Sequence, residues 1–283
     1  MRTETAGITR ANDGLDGIKW NILGQIYVPK HVTEHSFSWH ATFPAETFVP
    51  PHIHPTQDEY ILMLEGTWKL LRALHYKGDF ATPSREGKQQ VFARGKQVAE
   101  AGIDRLARRV GGRQKLDAMT PAQAAKAVAD VPEAKPLFLW AAVHWGLWGD
   151  VFGRLAAARQ GVGDRVRRYS EILIALDERY EDAAGHRVLG RLHTLAPKVP
   201  FFTGWVDRDK AVAELRRAVA LGPGNLDNHL FLAEALLEHQ PARAAEAREI
   251  LRRLLARKPV PALVVEQERT LANARALLAK HPA

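Results

Sequence analysis

"ELRRAVALGP", residues 214–223, returns as "ILRRLLARKP" at residues 250–259, an offset of 36 positions. Both copies keep an Arg-Arg pair, an apolar step after it and a closing proline in register. Between them "NLDNHLFLAEALLEH" reads as a helix of the opposite sense. A period near about 34 residues with helix–turn–helix texture points to stacked helical pairs, because one pair alone cannot bury its apolar face. This stretch points to a mainly α, tetratricopeptide-like architecture, with two unrelated amphipathic helices sharing one solution as the bland alternative.

Apolar periodicity carries that reading toward both ends. Val91, Val98, Ala101, Ile103, Leu106 and Val110 fall broadly on one face of residues 85–110, and Gly111–Gly112 stop the helix. Thr120–Pro121 supplies a cap and a proline at the first helical position, opening a helix over 121–130. Residues 135–158 contain the aromatic-rich "PLFLWAAVHWGLWGDVFGRL". Asp164 is placed to cap a helix striped by Val166, Tyr169, Ile172, Leu173 and Leu176. Further stripes run through Leu215, through Leu230 and Leu237, and through Leu251 and Leu255, and a last helix fills 263–279.

The front of the chain has another texture. "IKWNILGQIYV" (18–28), "SFSWHATF" (36–43) and "EYILMLEG" (59–66) cluster β-branched and aromatic residues between polar breaks. They read as strands of a small antiparallel sheet or barrel. The expected division is a β segment over 1–67 and a helical domain over 68–283.

Within the β segment, His52-x-His54 on extended backbone sends both imidazoles to one face, and Glu59 returns there after a short turn. Two imidazoles and a carboxylate form a partial shell for a divalent transition metal: Fe, Mn, Zn or Ni. A surface His-x-His pair is the bland alternative. The spacing H-x-H-x4-E-x6-G, completed by Gly66, resembles the first motif of the cupin family. The resemblance implies that His52, His54 and Glu59 are metal ligands inside a β-barrel. The family's second motif, which brings the fourth ligand and closes the barrel, is not matched. "GDFATPSREG" (78–87) departs from its spacing, and Gln90 stands where the histidine belongs. The cupin is half present.

The remainder resembles the T component associated with TRAP transporters. The resemblance runs through "YKGDFATPSREGKQQVFARGKQVAEAGI", "PLFLWAAVHWGLWGD" and "LDERYEDAAGHRVLGRLHTLAPKVPFFTGWVDRDKAVAELRRA". It implies ligand delivery or scaffolding beside a substrate-binding protein, a homo-oligomer around a central pore, a periplasmic location and no catalysis. The expected function is therefore a non-enzymatic helical binding or scaffold protein. The alternative is a metal-dependent cupin-type small-molecule enzyme or sensor using His52, His54 and Glu59.

Individual side chains carry further expectations. Trp140, His144, Trp145 and Trp148 share one broad helical face and could line a ligand pocket or pore, with simple core packing as the competing reading. Glu181, Asp182 and His186 meet near a helix start, where Asp182 suits an N-cap.

Composition narrows the classes. There is no cysteine, which excludes disulfides, thiolate metal sites and cysteine catalysis. Residues 1–70 carry five Lys/Arg against eight Asp/Glu, and the rest carries 35 against 24. The arginines recur as pairs along helices (Arg108–Arg109, Arg167–Arg168, Arg216–Arg217, Arg252–Arg253), a pattern of solvated faces rather than of nucleic-acid contact. The longest apolar run, Leu137 to Val143, is far short of the roughly 20 residues of a membrane span. The first residues lack an apolar core, so the chain as written reads as cytoplasmic, against the periplasm that the resemblance implies.

Overall fold

Helix α5 (Ala134–Phe152) is apolar all round, and a helix of that kind has to be enclosed. The structure, a computed structural model, describes residues 19–22, 25–32, 37–42, 67–199 and 203–282. The chain divides into two compact units, Met1–Ile61 and Leu62–Ala283. The described residues are mainly α-helical.

In the first unit β1 (Trp20–Ile22), β2 (Gln25–Val32) and β3 (Phe37–Thr42) form an antiparallel sheet in the order β1-β2-β3. Pro29 lies in the middle strand, where a missing N–H would ordinarily break a ladder. Here β1 pairs only with Gln25, Ile26 and Tyr27, so Pro29 sits past its end, and a bulge between Pro29 and His31 follows. The third expected strand, 59–66, lies outside the described residues.

The second unit begins with α1 (Thr67–Tyr76), a π-helical turn (Lys77–Ala81) and α2 (Arg85–Arg108). Short helices α3 (Arg113–Ala118) and α4 (Pro121–Ala127) lead into α5. After it come α6 (Arg154–Arg159), α7 (Val162–Leu176) and α8 (Tyr180–Leu195). The chain ends with α9 (Arg208–Leu221), α10 (Leu226–His239), α11 (Ala244–Leu255) and α12 (Val264–Lys280).

Helix α5 is central, packed by α1, α2, α7 and α8. Its partner α2 is buried along Phe92, Gly95, Ala99, Gly102, Ile103 and Leu106. Of the expected stripe, Ile103 and Leu106 are buried and Val91, Val98 and Val110 pack against the core, while Ala101 is exposed and Gly95, Ala99 and Gly102 add close contacts. At Gly102 an added Cβ would lie 2.7 Å from Leu137, which shows how closely the two helices approach. The stop after α2 is as expected, with Gly111 and Gly112 at φ of 96° and 108°.

The 36-residue offset falls on matching core positions. Ala211 and Ala247, Leu215 and Leu251, and Ala218 and Leu254 are all buried, the first of each pair in α9 and the second in α11. Helix α10 packs against both α9 and α11, and α12 packs against α10 and α11. Two apolar cores result, one filled by residues from Leu71 to Ala184 and the other by residues from Val212 to Ala274.

Two local readings are corrected. Thr120 caps α4 in a full capping box with Gln123, but Asp164 does not cap α7. That helix starts at Val162 behind Gly161, so Asp164 stands in its first turn, 3.4 Å from Arg167. Nor does Asp182 cap α8. Glu181, Asp182 and Ala183 all adopt left-handed conformation, at φ of 48°, 56° and 63°. Such residues cost about 1–2 kcal/mol each, and the turn is held by outside partners. Asn228 Nδ2 donates to the Asp182 carbonyl at 3.0 Å, and Arg187 donates to both the Glu181 and Asp182 carbonyls.

Candidate functional site

His144 is fully buried, and its Nε2 donates to the Leu71 carbonyl of α1 at 2.8 Å. The bond fixes a neutral tautomer with a bare Nδ1. That nitrogen faces Gly95 of α2, where an added Cβ would sit 2.0 Å away. His144 therefore ties three helices at one point. Trp140, half-buried on the same helix, lies 5.2 Å from the His75 ring.

Trp145 and Trp148 turn to a second cluster, built around Glu100 of α2. Glu100 Oε1 accepts from Trp145 Nε1 at 2.7 Å and from the Tyr169 hydroxyl at 2.9 Å. Its Oε2 accepts from Arg113 at 3.0 Å and from Arg165 at 3.3 Å. One carboxylate thus serves four donors from α3, α5 and α7. Lys96, one turn before it, lies over both indoles, 4.6 Å from Trp145 and 4.0 Å from Trp148. Burial holds its amine below the ordinary lysine value, opposed by Glu100 and reinforced by Arg165. Burial, with Glu100 beside it, pushes the Tyr169 phenol above its usual range.

A cleft of about 310 Å³ lies next to this cluster, lined by Arg113, Arg165, Arg168 and Tyr169 and also by the carboxylates Asp117 and Asp164. Its chemistry mixes hydrogen-bond donors with acceptors. The phenol stays protonated, and Arg113 is already shared by Glu100, Asp104 and Asp117. The arrangement suits holding a polar group rather than moving protons.

Of the four aromatic-face residues, Trp145 and Trp148 meet in one cluster, edge to face at 6.3 Å. His144 and Trp140 turn away toward α1. The sequence marks Tyr169 only as a core-stripe residue, and it marks Glu100, Lys96, Arg113 and Arg165 not at all. They are 45 to 69 residues from their partners where Glu100 bonds Trp145 and Tyr169, and no spacing rule spans that. His52, His54 and Glu59 lie outside the described residues. Among the described residues no group of three or more His, Asp or Glu side chains is placed to hold a metal ion.

Glu181, Asp182 and His186 are not gathered. His186 is buried, its Nδ1 donating to Glu214 at 2.6 Å, while Glu181 and Asp182 are exposed. His193 is buried too; its Nδ1 accepts from the Asp207 N–H at 3.1 Å, and its ring meets the Trp205 edge.

Burial lowers both His144 and His193 to about 4, the Leu71 carbonyl opposing for His144 and Lys210 adding for His193. The unfolded chain, with histidines near 6.5, binds protons that the folded chain refuses. Stability is therefore complete above pH 6.5 and is lost as pH falls from there toward 4. Urea midpoints should drop steadily from neutral pH to about pH 4.5, more than carboxylates alone account for. Replacing both histidines with glutamine should flatten the profile above about pH 5; an unchanged slope would remove them as its cause.

No helix among the described residues is long and apolar enough to cross a membrane. No protein-family model matches the chain, and no curated protein does.

Proposed function

We propose that the protein is a non-enzymatic helical binding or scaffold protein resembling the T component of TRAP transporters, carrying a partial cupin at its front. One observation supports this most: α9, α10, α11 and α12 pack in sequence order with a 36-residue repeat of buried positions. Such stacks present extended faces to a partner and work by holding it. The described polar clusters fit that reading, since each ties neighbouring helices together. The partner by resemblance is a substrate-binding protein of the same transporter class. Sedimentation velocity of the full chain mixed with such a protein should yield a faster-moving complex. Unchanged boundaries at tens of micromolar would sink the scaffold reading.

A metal-dependent cupin-type enzyme or sensor is the second reading, favoured by the four-position match at His52, His54, Glu59 and Gly66. The donor set suits Fe, Mn, Zn or Ni and would leave coordination positions open to water or substrate. Elemental analysis of the full chain should then find about one metal ion per chain, lost when His52→Ala and His54→Ala are combined. A stoichiometry near zero would end this reading and leave the first untouched.

A further inference from the structure

Asp79 and Arg269 are 190 positions apart, yet the Arg269 guanidinium donates to the Asp79 carbonyl at 2.8 Å and meets its carboxylate at 2.9 Å. The same guanidinium lies over the Phe80 ring, 4.5 Å from its centroid, and Phe80 stacks on Tyr76. Lys88 of α2 stands 4.0 Å from the same carboxylate. Together these contacts join α12, the last helix, to the π-helical turn that follows α1.

A second observation brings the same helices together. His75 of α1 feels the charges of Asp79, of Asp227 on α10, and of Glu266 and Arg269 on α12. Asp227 accepts from Thr270 of α12 at 2.7 Å, and its charge also reaches Arg187 on α8. Charged groups of α1, α8, α10 and α12 therefore act on one another here, and the buried Thr270 ties α12 to α10 through Asp227. The main packing of α12 is on α10 and α11. Its junction with the turn after α1 is made by side chains, and the ion pair there is 39% and 31% exposed.

We infer that the Arg269–Asp79 pair is a latch: it holds α12 against the turn at 77–81, and its release lets α12 move away and exposes Thr270 and the Asp227 carboxylate that it bonds. Its strength suits that role. An exposed ion pair is weak and screened by salt, and one cation–π contact adds little more. Together they favour the closed form by about tenfold, enough to keep it dominant and little enough to let it open.

The absence of cysteine makes the test direct. Ala81 and Ala272 are exposed, beside the turn and on α12, and as cysteines they accept nitroxide labels for double electron–electron resonance. The parent should give one dominant short distance. Arg269→Glu should raise the ratio of the longer-distance to the short-distance population about tenfold, and Asp79→Asn should do so more mildly, with helicity by circular dichroism unchanged in both. Asp79→Arg combined with Arg269→Glu should restore the short distance in part, since the ion pair returns but the bond to the carbonyl at 79 and the contact with Phe80 do not. Unchanged distances in both single variants would show that α10 and α11 alone fix α12. Failure of the charge swap to restore closure even in part would mean that Arg269→Glu acts by local damage. Either result overturns the latch.

Discussion

Gly95→Ala should lower stability by about 3 kcal/mol, although it adds one methyl group to a helix. In most helices the change would help, since alanine is the better helix former. Here the new Cβ would lie 2.0 Å from His144 Nδ1 and 2.3 Å from its Cε1. The ring cannot step aside cheaply, because its Nε2 is committed to the Leu71 carbonyl. Either the helices part, costing about 1–3 kcal/mol of overpacking, or the bond breaks and leaves a buried acceptor unpaired at a similar cost. The double variant Gly95→Ala, His144→Ala should lose less than the sum of its parts, because the second change removes what the first collides with. Urea unfolding followed by circular dichroism measures all three. A loss under about 1 kcal/mol in Gly95→Ala would mean that the ring has room to turn.

Glu100→Ala carries a comparable effect, about 3 kcal/mol. It strips four donors of their common acceptor: the Trp145 indole, the Tyr169 hydroxyl, and Arg113 and Arg165. The losses are unequal. Arg113 keeps Asp104 and Asp117, and Arg165 reaches solvent, so the indole and the phenol set the cost. The side chain of Glu100 is 25% exposed, which keeps the figure below that of a fully buried pair. Glu100→Gln retains one carbonyl oxygen for Trp145 and Tyr169, and should lose about 1 kcal/mol. Equal losses for alanine and glutamine would show that the charge, not the acceptor, holds the cluster.

The helices were legible where apolar residues repeat and where caps are local. The stop at Gly111–Gly112, the Thr120 cap and the stripes of α7 and α9 to α11 follow from neighbours within a few residues. The face of α2 is legible in Val91, Val98, Ile103, Leu106 and Val110, but Gly95, Ala99 and Gly102, which a count of large apolar residues passes over, complete its contact. Asp164 and Asp182 look like caps, but the chain before each of them had already turned: Gly161 starts α7 earlier, and Asn228, from α10, holds the left-handed turn in α8. The Glu100 cluster shares that character. Each of its members is ordinary in its own segment, and only the packing of α2 on α5 and α7 makes them one group.

The two cores have a kinetic consequence. Each is filled by helices adjacent in sequence, and α8 packed on α9 connects them. Little loop-closure entropy stands between the extended chain and its first native contacts, which favours fast folding by accretion from either core. The same locality sets how the chain comes apart. Amide exchange in α9 to α12 should report a cooperative opening separate from that of α2, α5 and α7. A ligand or partner that bridges both cores would slow the two openings together, so exchange rates in one half would reveal binding to the other.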